Sequence, residues 1–196
     1  MSMTKKEALL VAAKELFAEY GYVETTFKKI SERAGVALGL LTHHYGSKEK
    51  LFLAAGLDVL DHFLSVLREA CDRAENGREG VLNFCKAYLD YSVDPNSYWL
   101  VLVRCSPYSD MKISEDRDIM NEKFNEVHEL LEQQLWRGIE DGSCREVLIK
   151  ETVQILMGIM VGVNRTKVLT PYAPAHLFRE TLAFIANAIT PCDSCQ

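Results

Sequence analysis

Residues 33–52 read RAGVALGLLTHHYGSKEKLF and bring a glycine turn, two adjacent histidines, a threonine and two lysines into one short stretch. Paired imidazoles suggest a metal or an acid–base site. Spacing argues against it, because neighbours on a helix point about 100° apart whereas paired metal ligands take i, i+4 positions, as in His-Glu-x-x-His. On a helical wheel Leu41 and Tyr45 fall about 40° apart and make an inward face, while His43 falls about 200° from Leu41. Gly39, Leu40 and Thr42 share the outward half with His43. That face suits a DNA groove: His and Thr can hydrogen-bond base edges or phosphates, Leu can meet a thymine methyl, and Gly permits close approach. The plainer alternative is that both histidines are simply solvated on a small exposed helix.

A face of this kind must be held by its neighbours. Alternating Val/Ile/Thr runs bounded by turn residues are scarce, whereas apolar spacing of period 3.6 recurs along the chain, so the expected fold is all-α. Leu9, Ala13, Leu16, Phe17 and Tyr20 form one stripe closed by Gly21, and Phe27, Ile30 and Ala34 a second closed by Gly35. A third helix follows over about residues 37–45 and stops at Gly46. Ser47 can cap a fourth helix, with Glu49 favourable in its first turn, running toward Glu75. Two short helices joined by a glycine turn make a helix-turn-helix, whose second helix lies in the major groove. Later breaks at 75–77, 94–97, 106–110, 140–143 and 170–174 separate further segments of helical length. The expected division is a DNA-binding domain at 1–46, a helical ligand-binding and dimerisation domain at 47–190, and a tail at 191–196.

The 196 residues, 48% hydrophobic, suffice for a sizeable core, and the longest apolar run, Ile155–Val163, is too short for a membrane span. No secretory signal opens the chain, so a cytoplasmic protein is expected. Its six cysteines are scattered, which favours reduced thiols over a disulfide framework. Cys192 and Cys195 have metal-like spacing but supply only half of a structural zinc set. Charge is uneven: residues 1–55 hold eight Lys and Arg against six Asp and Glu, and the rest hold fourteen against twenty-two. Binding of a polyanion through one end would produce this asymmetry. The common nucleotide-binding, hydrolase and zinc-protease motifs are absent, and none of the five histidines has a Glu three residues before it. No enzyme, cofactor or metal site is expected.

The segment GYVETTFKKISERAGVALGLLTHHYGSKEKLF resembles the N-terminal domain of TetR-type transcriptional regulators. Its Gly-aromatic…Thr, Ile-x-x-x-Ala-Gly-Val, Gly-x-Leu…His-aromatic and Ser-Lys-Glu-x-Leu landmarks fall in order and spacing over residues 6–56. The resemblance implies that Thr26 opens helix two near the DNA backbone with Lys28 behind it. It also implies that Thr42, His43 and His44 make contacts from the recognition helix and that Lys48 binds a phosphate. Leu38, Gly39 and Leu40 complete the candidate contact set. Ala37 and Leu38 stand where Ser and Lys are frequent in the family, and Thr42 where Tyr is frequent, so fewer polar groups reach the DNA.

For the remaining residues the resemblance implies ligand binding and dimerisation. Residues 154–168 are apolar nearly all round and contain Gly158-x-x-x-Gly162, so burial on all sides is expected. With Ala183 and Ala186 of the last helix they make a candidate dimer interface, intramolecular core being the alternative. The middle of the chain concentrates aromatic residues, among them Tyr108. Tyr88, Tyr91, Trp99, Arg104, Phe124 and His128 are candidate ligand contacts, with a small hydrophobic or aromatic effector implied. The whole reads as a homodimeric repressor on pseudo-palindromic operator DNA, without membrane association. The alternative is a helical thiol or metal sensor that uses its cysteines.

Overall fold

Thr4 starts the first helix by a reciprocal cap: its hydroxyl accepts from the Glu7 N–H at 3.2 Å while its own N–H donates to the Glu7 carboxylate at 2.7 Å. The structure, a computed structural model, describes residues 3–104 and 114–191. Helix α1 runs over Lys5–Glu24, but Gly21 lies at φ 78° and ψ 176°, so the regular helix ends there and one further turn follows. Thr26 caps α2 (Phe27–Ala34), and Gly35 ends it in the left-handed region at φ 63°. Helix α3 covers Leu38–Tyr45 and stops at Gly46, φ 71°. The Ser47 hydroxyl then accepts from the Lys50 N–H at 3.3 Å, the cap expected for α4 (Lys48–Asp72). There follow α5 (Gly77–Val93), a 3-10 turn at Pro95–Ser97, α6 (Leu100–Arg104), α7 (Ser114–Glu140), α8 (Ile149–Leu169) and α9 (Leu177–Ile189). The described residues are all-helical and contain no strand.

Two compact units emerge, Met1–Asp61 with Asp94–Lys123, and His62–Val93 with Phe124–Gln196. The first encloses α1 to α3, the start of α4, and α6. Its interior is Leu9, Ala13, Leu16, Phe17, Ile30, Leu41, Leu51, Phe52 and Val101, all essentially without solvent contact. Phe17 and Phe52 meet edge to face at 5.0 Å. Arg33 ties α2 to α1 by pairing with Glu15 at 3.1 Å and Glu19 at 3.5 Å. α6 packs on α1.

The second unit is built from the rest of α4 with α5, α8, α9 and most of α7. Leu64, Leu67, Phe84, Cys85, Leu131, Leu135, Met160 and Ile185 fill it. Its α5 and α7 cross at glycines: a Cβ on Gly77 would stand 1.9 Å from the Gly138 nitrogen, and one on Gly138 would stand 2.5 Å from Cys144 Sγ. The crossing is tied by polar groups as well. Asp141 accepts from the Gly77 N–H at 2.7 Å and Ser143 from the Arg78 N–H at 3.0 Å, so the turn after α7 caps α5. Arg137 returns the bond by donating to the carbonyls of Ala74 and Glu75.

One expectation fails in the single chain. Helix α8 is not buried on all sides: Val153, Leu156, Met157 and Met160 are inside, but Ile155 is 62% exposed and Val161, Gly158 and Gly162 are exposed too. α8 packs against α5 and α9 along one face, and that leaves the opposite apolar face open. No atom lies within 4 Å of a Cβ built on Gly158 or Gly162, so this pair makes no close approach inside the chain.

The glycines therefore divide into two kinds. Gly77→Ala should lower the unfolding free energy by about 1 to 3 kcal/mol or more, because backbone must move to admit the methyl. Gly39→Ala, which meets open space on α3, should raise it by roughly 0.5 to 1 kcal/mol through helix propensity. Denaturant titration of the two variants checks both signs.

Candidate nucleic-acid interface

Helix α3 has eight residues, too few to persist alone in water. Its two inward side chains hold it. Leu41 has no solvent contact and Tyr45 is nearly buried, as the wheel predicted, and the Tyr45 hydroxyl donates to the Lys6 carbonyl on α1 at 3.1 Å. α3 packs against both α1 and α2. Partial burial, followed by the Asp58 charge, pushes the Tyr45 phenol above its ordinary value, so at neutral pH it stays a donor.

With that face fixed, the outward face follows. Leu38, Gly39, Thr42, His43 and His44 are exposed, while Leu40 is half-buried and lies at the edge of the row. The two imidazole rings stand 5.6 Å apart. Thr42 donates its hydroxyl proton to the Leu38 carbonyl at 3.2 Å, which leaves its oxygen to accept from outside. At the start of α2, Thr26 is exposed, and its oxygen accepts from the Lys29 N–H at 3.3 Å, so its hydroxyl proton can donate outward. Lys28 is well exposed and meets Glu32 only loosely, at 4.0 Å.

Lys48 is held by its own chain through two of its three N–H donors. Its ammonium turns inward and donates to the carbonyls of Tyr22 at 3.0 Å and Thr25 at 3.1 Å, and stands 4.2 Å from the Tyr22 ring centre. Tyr22 in turn donates to Glu49 at 2.9 Å. The Glu49 carboxylate sits below its usual range because it accepts from its own backbone N–H at the helix start, from Tyr22 and from Ser47. Lys29 likewise spends its ammonium on the Glu24 carbonyl at 2.8 Å.

The candidate ligand contacts do not gather in one unit. Tyr88, Tyr91, Phe124 and His128 belong to the second, and Trp99 and Arg104 to the first, where only the backbone of Arg104 is described. Tyr88 and Tyr91 are core residues that pack on Phe63 at 5.2 and 5.0 Å. Tyr91 also meets His62 Nδ1 at 3.0 Å. His128 is half-buried and its Nδ1 lies 3.1 Å from the Phe124 carbonyl. Two shallow hollows flank the exposed Trp136, one lined by Glu129, Glu132 and Gln133, the other by Ile139, Glu140, Glu146, Val147 and Ile149. Neither is lined by any of the six candidates.

Of the candidate dimer residues, Gly158, Gly162 and Ala183 are exposed and Ala186 half-buried. Ile155 and Phe184, the latter 64% exposed, lie among them and were not read from the sequence. The spacing of Ile155 three residues before Gly158 carried that signal. Cys71, Cys85 and Cys144 are buried free thiols, and burial pushes Cys71 up to about 11 and Cys85 to about 12. Cys105, Tyr108, Cys192 and Cys195 lie outside the described residues. Among the described residues no three metal-ligating side chains cluster, and no helix is long and apolar enough to cross a membrane.

Residues 9–55 match the family model described as bacterial regulatory proteins, tetR family. The chain is 31% identical over 98 residues to the transcriptional activator FasR of Mycolicibacterium smegmatis, covering 50% of this chain and 45% of that one. It is 28% identical over 129 residues to the transcriptional repressor AcnR of Corynebacterium efficiens, covering 61% and 62%. It thus matches less than two thirds of the length of either relative. Its fold resembles that of the transcriptional regulator FadR from Bacillus subtilis in complex with stearoyl-CoA, with a TM-score of 0.76 and 21% identity over 93% of this chain and 98% of that one. The helix-turn-helix geometry of α2 and α3 and the all-helical fold agree with the match of residues 9–55 to the family of bacterial regulatory proteins described as tetR.

Proposed function

We propose that this chain is a ligand-responsive transcriptional regulator, a repressor that binds a pseudo-palindromic operator as a homodimer, and not an enzyme. The observation that carries the reading is the exposed row Leu38, Gly39, Thr42, His43 and His44 on a helix whose other face is anchored by Leu41 and Tyr45. Thr26 and Lys28 at the start of α2 supply phosphate contacts, with the half-buried Leu40 at the margin. The module is residues 1–46, residues 47–190 bind the effector and the second copy, and 191–196 are a tail. Two modules related by a two-fold axis would read half-sites about 34 Å apart or a multiple of it.

The open face of α8 and α9 supports the homodimer. Ile155, Val161 and Phe184 would leave water there, with Gly158, Gly162 and Ala183 allowing the second copy to come close. The acyl thioester bound by the FadR of similar fold supports a small effector with apolar or aromatic character. Such an effector would release DNA by favouring a dimer shape with a different half-site spacing, to the extent of its differential affinity for the two states.

Two measurements test this reading. Operator duplexes selected from random sequence should bind with a log affinity that falls linearly with log salt. Lys28→Ala should make that slope shallower by about 0.9, while His43→Ala should keep the slope and change the ranking of operator variants. An unchanged ranking would remove His43 from base reading. In sedimentation, Phe184→Glu should convert a dimer to folded monomer and weaken self-association by roughly thirtyfold or more, the scale of a central interface residue. A stable dimer carrying Phe184→Glu would move the interface elsewhere.

A further inference from the structure

The polar side chains that α3 offers to solvent all lie in its second half. Residues 36–45 read VALGLLTHHY and contain no Arg, Lys, Asn, Gln, Asp or Glu. Thr42, His43 and His44 are exposed, and the Tyr45 hydroxyl is spent on the Lys6 carbonyl. Ahead of them Ala37, Leu38 and Gly39 are exposed as well, Leu38 by 47%, and Leu40 is half-buried. Ala37 stands at the cap position without a side-chain hydrogen bond to the helix. A Cβ built on Gly39 meets nothing within 4 Å. The first turn of α3 is therefore open and apolar.

In a helix-turn-helix the N-terminal residues of the second helix are the ones that meet base edges. Bidentate recognition of guanine takes Arg or Lys, that of adenine takes Asn or Gln, and a carboxylate accepts from cytosine N4. α3 carries none of these side chains. The one apolar group that the major groove presents is the thymine C5 methyl. Leu38 brings a branched aliphatic side chain to the entering turn, and the missing side chain at Gly39 lets that turn come close. Base pairs without a methyl offer the turn only polar edges that it cannot partner.

We propose that the first turn of α3 reads the operator through thymine C5 methyl groups, with Leu38 as the specificity-determining contact, so that each half-site carries a 5-methylpyrimidine where this turn enters the groove. This inference rests on the DNA-binding reading above and adds to it the chemistry of the base. Thr42, His43 and His44 read polar edges or phosphates one turn farther along the helix. The recognised group is the methyl, and 5-methylcytosine supplies the same group.

Duplexes are selected from random sequence with the full chain, and each dT of the tightest one is replaced singly by dU, which removes the methyl and nothing else. At one or two dT positions of a half-site the wild type should lose about fourfold in affinity, the scale of one methyl-sized group leaving an apolar contact. Leu38→Ala, a change at an exposed side chain, should bind the dT and dU duplexes alike at one of those positions. Where that dT·dA pair is exchanged for dC·dG, 5-methyl-dC in place of dC should recover about fourfold for the wild type and nothing for Leu38→Ala. A wild type insensitive to every dU, or a Leu38→Ala that keeps the full sensitivity to the methyl, would overturn the inference while duplex binding stands. If the wild-type chain selects no duplex, the DNA-binding reading falls and the inference falls with it.

Discussion

The anchoring of α3 by Leu41 and Tyr45 is the constraint on which the rest depends. A helix of eight residues gains too few hydrogen bonds to offset its nucleation cost. It exists here because two side chains, one turn apart, enter the interior of the first unit, and because the Tyr45 hydroxyl reaches the Lys6 carbonyl. Everything exposed on α3 takes its direction from that pair. A one-residue rotation would carry Thr42 inward and leave a buried hydroxyl in an apolar site, so the same burial that stabilises the helix also selects the face that it presents.

Ion pairs and caps refine the placement. Arg33 on Glu15 and Glu19 holds α2 to α1, Lys14 on Asp58 holds α1 to α4, and Lys29 and Lys48 end on carbonyls. Four of the basic side chains in this part of the chain are therefore engaged within it. The basic excess of residues 1–55 reports on internal fastening as much as on attraction to a polyanion. Lys28, with its distant Glu32, is better placed to meet a phosphate.

Local features were legible in the sequence and distant partnerships were not. The bounds of α2 and α3, the stop at Gly35, the Ser47 cap and the inward Leu41 and Tyr45 follow from periodicity and capping chemistry within a few residues. The direction of Lys48 does not. Its four-carbon stem can turn outward or inward, and the carbonyls of Tyr22 and Thr25 that accept from it lie more than twenty residues away in the chain. The crossing of Gly77 and Gly138 was hidden for the same reason, since each glycine reads alone as a turn residue or a weak point in a helix. The apolar character of α8 was visible, but which face meets α5 and α9 depends on packing, and so the open row of Ile155, Gly158 and Gly162 had to be observed. The aromatic residues between Phe84 and Trp136 show the limit of composition: Tyr88 and Tyr91 pack as core on Phe63.

The central claim is that the outward face of α3 meets double-stranded DNA. Hydroxyl-radical footprinting of the protein, read by mass spectrometry with and without duplex operator, observes those side chains directly. Oxidation of Leu38, His43 and His44 should fall sharply on addition of the duplex, while Ile155 and Phe184 on the other unit keep their reactivity. Unchanged oxidation of Leu38, His43 and His44 in a sample shown to be bound to the duplex would contradict the account.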